Sequence, residues 1–262
     1  GYSKEFGAAV NITSSTTGLV IPPSNTLIVY SLASGGVSIA ALFLAGYIPG
    51  ILTGLLMMIV AMIWAKKNNY PVGKRSSLKE VFVKFIDAFP SLLLLVIVIG
   101  GIIGGIFTAT EASAVAVLYT VLLSFYYKEM SLKDLPKVIL ESVETTSIVM
   151  LLIGASMCMS WVLSYENIPQ DISNALLSVS DNKIVILLMI NVILLAVGIF
   201  MDATPAVLIF TPIFLPIVTA LGMDPTHFGI VLMLNLCIGL CTPPVGSVLF
   251  VGVGIAKLVF LK

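Results

Sequence analysis

Charge is what this sequence has least of. Of 262 residues, 13 are Lys or Arg and 13 are Asp or Glu, together 10%, against a hydrophobic share of 59% and a mean hydropathy of +1.14. A water-soluble globule carries roughly a quarter charged residues, so a soluble fold is excluded and a polytopic membrane protein is implied. Net charge is zero and the basic residues are scattered through connections, which removes nucleic acid from the plausible partners. The single histidine, His227, falls in a segment that reads as an external loop, where a solvated side chain is the plain reading. The three cysteines, Cys158, Cys237 and Cys241, all lie in apolar runs, and Cys237 and Cys241 share a helix face. No histidine or carboxylate stands near that pair in sequence to complete a metal site, so all three read as small buried hydrophobes. No basic residue within an apolar segment is placed to clamp a carboxylate, and the only carboxylates well inside such segments are Asp202 and Glu111. An intramembrane aspartyl protease needs two carboxylates sharing a site, and Glu111 would be an atypical partner. The opening GYSKEF, without Met or signal peptide, and the ending AKLVFLK make the chain read as part of a longer protein.

What is present is apolar length. Apolar segments run over about 7–33, 39–64, 91–127, 142–163, 184–221 and 228–256, and roughly 20 residues cross a hydrocarbon core. The stretches 91–127 and 184–221 are each long enough for two passes or a hairpin that enters and returns, with breakers at GGIIGGIFTAT and GIFMDATP. Lys66, Lys67, Lys74, Arg75, Lys79 and Lys84 crowd one connection, which the positive-inside rule places in the cytoplasm. The connection at Lys128, Lys133 and Lys137 is also basic, whereas 164–182 has no Lys or Arg and reads as external. Within the first basic connection, Leu78, Val81, Phe82, Phe85 and Ile86 fall at helical spacing, as in a helix lying in the interface plane. The expected order is a broken transmembrane helix over 1–36 and a transmembrane helix over 37–65. A cytoplasmic loop with an interfacial helix follows over 66–90, then a helix pair over 91–127. A loop, a transmembrane helix and an external loop occupy 128–183, a re-entrant hairpin 184–221 and a second broken helix 222–262.

The break occurs twice. GLVIPPSN at 18–25 returns as GLCTPPVG at 239–246, and GYSKEFGAAV upstream of the first has its counterpart in GMDPTHFGIV upstream of the second. A proline inside a helix costs about 3 kcal/mol or more, and unwound backbone at membrane depth must be buried in protein or line a cavity. Charge orients the two copies oppositely, which is the sequence pointer to an inverted-repeat secondary transporter with ion and substrate sites at the breaks. Asn11, Thr13, Ser14, Ser15, Thr16 and Thr17 supply oxygen ligands suited to a small cation, although Ser and Thr also serve as glue between membrane helices. Asp202, flanked by long apolar runs, costs roughly 2.5–3.5 kcal/mol to insert and is expected to bind a cation or substrate. Glu111 reads instead as part of a helix cap with Thr108 or Thr110. A channel with re-entrant loops is the rival reading, but channels usually surround a pore by repeating subunits, whereas this repeat is internal. A purely structural membrane subunit would leave Asp202 and the paired breaks without explanation.

SSTTGLVIPPSN, GIFTATEASAVAVLY, FMDATPAVLIFTPIFLPI and GLCTPPVG, in this order and spacing, resemble the large membrane subunit (DctM/SiaM-like) of tripartite ATP-independent periplasmic, or TRAP, transporters over essentially the whole chain. The resemblance implies an all-α, inverted-repeat, elevator-type secondary transporter with a re-entrant hairpin and broken helices, in the bacterial inner membrane. It implies sodium coupling and no other cofactor. The implied partners are a small membrane subunit and a periplasmic substrate-binding protein, and the cargo is an organic acid anion. By motif, Ser15, Thr16 and Gly18 would serve one sodium site, and Asp202, Thr204 and Thr242 the other, with Ser14, Gly198 and Pro243 as further sodium candidates. Thr17, Pro22, Ser24, Asn25 and Pro205 would border the substrate. The family's first hairpin is expected upstream of Gly1, so half of the first sodium site would lie outside this chain. Asn25–Thr26 after PPS looks more like the sialic acid branch, with C4-dicarboxylates or another acid sugar as alternatives.

Overall fold

Local chemistry sets the helix ends. The computed structural model describes residues 2–70, 76–180 and 182–257, which form twelve α-helices and no strand. The first is α1 (Lys4–Ser15), capped by Ser3, whose hydroxyl accepts from the Phe6 amide. A kink at Thr16 leads into α2 (Thr17–Val20), and Pro22–Pro23 ends it; Ser24 then caps α3 (Asn25–Ala33). Next come α4 (Ile39–Lys67), α5 (Leu78–Ile103), α6 (Ala109–Tyr126), α7 (Leu135–Tyr165) and α8 (Ile168–Val179). The chain continues through α9 (Lys183–Phe200), α10 (Ala203–Ala220), α11 (Pro225–Leu240) and α12 (Ser247–Ala256). Six of these, α4 to α7, α9 and α10, are long and apolar enough to cross a membrane. The polytopic membrane class expected from composition, and the all-α class implied by the resemblance, are therefore what the described residues form.

Contacts divide the chain into two units, residues 1–71 with 152–262, and residues 72–151. In the second unit α5 packs along α6, and the Tyr119 hydroxyl donates to the Pro90 carbonyl at 2.6 Å. Thr108 and Glu111 form a capping box on α6: the Glu111 carboxylate accepts from the Thr108 amide and hydroxyl, both at 2.8 Å, and the Thr108 hydroxyl accepts from the Glu111 amide. That satisfies two otherwise orphaned helix-end groups, so capping is the role Glu111 performs.

Four expectations need correction. The segment expected to lie in the interface is not a separate helix: α5 runs unbroken from Leu78 through Pro90 to Ile103 and stops only at Gly104–Gly105. The external loop over 164–182 is largely helical, since Pro169 and Asp171 open α8 at Ile168. His227 stands in the first turn of α11, not in a loop, because Asp224 caps that helix. Cys158 is exposed on α7, a helix with no buried residue at all. Lys74 and Arg75 of the basic connection lie outside the described residues.

In the first unit the two double-proline segments share their local geometry: the Pro22–Pro23 and Pro243–Pro244 bonds are both cis. The helices they interrupt pack against each other. The Tyr30 hydroxyl donates to the Pro225 carbonyl at 2.6 Å, the Cys237 thiol to the Thr16 carbonyl at 3.5 Å, and the Cys241 thiol to the Ile12 carbonyl at 3.5 Å. As numbers fall along α3–α2–α1 they rise along α11, so the two copies run antiparallel. Cys237 thus packs as the buried residue expected, while Cys241 is half-buried.

Asp224 gives the fold an acid-sensitive point. Its Oδ1 accepts from the Thr226 amide at 2.8 Å and the His227 amide at 3.3 Å. Hydrogen bonds from the Thr226 side chain, then from the Thr226 and His227 amides, hold this carboxyl below the usual range. The stabilisation is fully present above the unfolded-chain value of about 3.9 and is lost as pH falls through the lower folded value. Asp224→Ala is expected to lower the unfolding temperature in detergent at neutral pH. Asp224→Asn should keep the cap and remove its share of the acid-induced loss.

Candidate functional site

The break in the first copy follows directly from its sequence. Hydroxyls crowd the last turn before the prolines, and each turns its hydrogen back onto the helix. Ser14 donates to the Asn11 carbonyl at 3.3 Å, Ser15 to Ile12 at 2.8 Å, Thr16 to Thr13 at 2.8 Å and Thr17 to Ser14 at 2.6 Å. A hydroxyl whose hydrogen is spent in this way still offers oxygen lone pairs to a further partner. Thr16 is buried, Thr17 half-buried, and Ser14, Ser15 and Gly18 exposed. The Ser24 hydroxyl bridges the gap, donating to the Leu19 carbonyl at 2.5 Å and accepting from the Leu27 amide at 3.4 Å. It is 2% exposed, so its hydrogen-bonding capacity goes largely to holding the break. Pro22 is buried beside it, while Asn25, the first residue of α3, is exposed.

The second break stands against the tip where α9 meets α10. Gly198 of α9 and Gly239 of α11 cross so closely that a Cβ on Gly198 would sit 3.1 Å from the Leu236 Cα and 3.2 Å from the Gly239 Cα. Beyond the crossing, the Gly246 amide donates to the Ile199 carbonyl at 3.0 Å, and the Ser247 hydroxyl to the Asp202 carboxylate at 3.1 Å. Gly246 has a φ of +39°, which suits a residue without a Cβ. Asp202 occupies the N-cap position of α10 yet makes no capping bond with its side chain, and it is exposed. Thr204 and Pro205 follow in the first turn of α10, half-buried. Thr242 is half-buried, with its hydroxyl donating to the Ile238 carbonyl at 2.7 Å, and Pro243 is exposed.

Two cavities adjoin the breaks. One of about 460 Å³ is lined by Thr13, Thr16 and Thr17 from the first copy, Thr53 from α4, and Cys241 and Thr242 from the second. Another of about 430 Å³ lies between α1 and α12, with Asn11 and Ser15 on its wall. The structure therefore brings Thr16, Thr17 and Thr242 together, joins Asp202 to the second break through Ser247, and turns Ser15 toward a separate cavity. The donors are hydroxyl, carbonyl and carboxylate oxygens, a set that suits a hard cation rather than a soft transition metal. Sequence reading passed over Ser247, Thr53, Asn191 and Asn235. The amides of Asn191 and Asn235, isolated in apolar runs, were the available signal.

Comparison with known proteins supplies the family. The whole chain, residues 1–262, matches the family described as "Tripartite ATP-independent periplasmic transporter, DctM component". A Salmonella typhimurium protein described as "Uncharacterized protein YgiK" is 58% identical over 258 residues, 98% of this chain and 59% of that protein. The C4-dicarboxylate TRAP transporter large permease protein DctM of Pseudomonas aeruginosa is 42% identical, over 96% of this chain and 59% of its own length. The sialic acid TRAP transporter large permease protein SiaM of Vibrio cholerae is 39% identical, over 95% and 58%. The chain thus spans a little under three fifths of the length of these relatives. With its double-proline breaks, the turn at Asp202 between α9 and α10 and this match along its entire length, the chain belongs to the DctM family of TRAP transporter permeases, proteins of the bacterial inner membrane.

Proposed function

We propose that the full-length protein carries out sodium-coupled secondary uptake of an organic acid anion, delivered by a periplasmic binding protein, and that it works with a small membrane subunit. Sodium binds at the two breaks, one ion near Ser14 to Gly18 and one near Asp202, Thr204 and Thr242. The anion lies between them, and the first unit moves in the manner of an elevator. The single observation that carries this reading is the antiparallel pairing of two broken helices, with Thr16, Thr17 and Thr242 around one cavity and Asp202 beside the second break. Half-helix ends and unwound carbonyls meeting in this way are how such folds hold cations and anions at membrane depth. Sialic acid is the substrate we favour, from the Asn25–Thr26 pair after the first prolines; a C4-dicarboxylate or another acid sugar would use the same machinery.

Voltage separates the substrate classes. Moving one elementary charge through 100 mV is worth about 2.3 kcal/mol. Two sodium ions entering with a monoanion carry one net positive charge and gain that amount from an inside-negative potential; with a dianion they gain nothing. The test is uptake into liposomes by the full-length protein with its partner subunits, under an inward sodium gradient, with and without that potential. Sodium-dependent, voltage-stimulated entry of sialic acid is the expected result. Entry of a dicarboxylate alone would move the substrate assignment, and uptake indifferent to sodium would overturn the coupling.

A further inference from the structure

Along α9 and α11 and on into the breaks beyond them, four contacts form a ladder that climbs toward Asp202. The lowest rung is a pair of amides: Asn235 Nδ2 donates to Asn191 Oδ1 at 2.5 Å and to the Val231 carbonyl at 2.8 Å, while Asn191 Nδ2 donates to the Leu187 carbonyl at 2.9 Å. Asn235 is only 7% exposed. Above it come the Gly198–Gly239 crossing, the Gly246 amide on the Ile199 carbonyl, and Ser247 on Asp202. Numbers rise together on both sides, so α9 runs parallel to α11 and both reach their breaks at the same level.

Most of this interface is apolar, and apolar side chains accept small slides at little penalty. Two glycines in contact permit close approach, and a slide that brings a larger residue to their crossing meets backbone, but they supply no directional bond. An amide pair does, and displacement by one residue leaves the Asn191 Oδ1 acceptor and one Asn235 N–H facing hydrocarbon side chains. Hydrogen bonds between membrane helices add little net stability, so the pair contributes alignment more than adhesion. The groups that gain from alignment stand at the top of the ladder, where Ser247 meets Asp202 across the second break.

We propose that Asn191 and Asn235 are positioning residues for the cation site at the α9–α10 tip: their mutual hydrogen bond sets the register of α9 on α11 and thereby where Asp202 stands against the second break. The proposal rests on the sodium-coupled reading above. Neither residue touches the ion; each acts through the register of the helix that carries its ligands. Partners that orient ligands in this way typically change metal affinity by about 10- to 100-fold when removed.

The test uses the full-length protein with its partner subunits in liposomes and compares wild type, Asn191→Leu, Asn235→Leu and the double variant. Each single variant should raise the sodium concentration for half-maximal uptake by about tenfold, with the maximal rate at saturating sodium kept within about twofold. The double variant should be no worse than the weaker single, since one bond is lost in all three. If Asn235→Leu does not fold, Asn191→Ala removes the same bond from the half-buried side. A fall in maximal rate with unchanged sodium dependence, or additive effects in the double variant, would overturn the proposal. Wild-type uptake that ignores sodium would instead overturn the coupling itself, and the positioning role with it.

Discussion

Asp202→Ala in the full-length protein is expected to displace half-maximal sodium for uptake by roughly 100-fold or more, beyond the effect of removing a supporting partner. The physical reason is that this carboxylate caps no helix, and one hydrogen bond from Ser247 is little to set against the cost of a charge in so apolar a stretch. Thr108 stands at the equivalent place in GIFTATEA, where the α6 helix opens, and both its amide and its hydroxyl are engaged with Glu111 in a capping box. Asp202, in GIFMDATPA, opens α10 without capping it. Its polar contact is with Ser247, across the second break. Asp202→Asn separates charge from hydrogen bonding, because an amide oxygen still accepts from Ser247. Loss of sodium dependence in both variants, with each remaining monodisperse in detergent, identifies the negative charge as the cation's partner. Wild-type sodium dependence in Asp202→Asn would show that charge at this position is not a ligand.

Gly239→Ala is expected to be the most damaging glycine-to-alanine substitution among the described residues. Its Cβ would run into the Gly198 backbone, including the carbonyl oxygen at 2.8 Å. Backbone in a helix cannot turn aside as a side chain can. Overpacking of this kind costs about 1–3 kcal/mol and occasionally more. Gly198→Ala meets Leu236 and Gly239 backbone at 3.1 to 3.2 Å and should cost less. Gly54→Ala, with open space around the added methyl, is the control and should be neutral. Thermal unfolding in detergent reads the order directly. Equal behaviour of Gly239→Ala and Gly54→Ala would mean that α9 and α11 do not cross as closely as described.

The membrane class, the placement of the breaks and the cap at Glu111 were legible because each depends on local chemistry. Apolar length, double prolines and a T-x-x-E box act within a few residues of themselves. The limits of the helices were less legible. Pro90 marks an apparent boundary, yet α5 passes through it, since one missing amide can be tolerated when the flanking turns favour helix. The lack of basic charge after Tyr165 speaks to side of membrane and not to secondary structure; an amphipathic α8 forms there. Within the site, Thr16 and Asp202 stand out by residue type and place, and Thr242 by the family motif alone. Ser247 and the Asn191–Asn235 pair do not, because their significance lies in which helix faces them. Asn191 and Asn235 are 44 residues apart, and no local pattern records that they meet.

The contacts that tie the two interrupted helices are spread along their whole length. Tyr30 holds Pro225 at one end, Cys237 reaches Thr16 in the middle, and Cys241 reaches Ile12 beyond it. Slipping one helix past the other by a single turn, about 5.4 Å, would break all three at once. The helices are therefore laced rather than hinged, and neither break can be displaced without the other. Ions held at both would change sides in the same stroke, so the number carried per cycle would be fixed by lacing, with no signal needing to pass between the two ions.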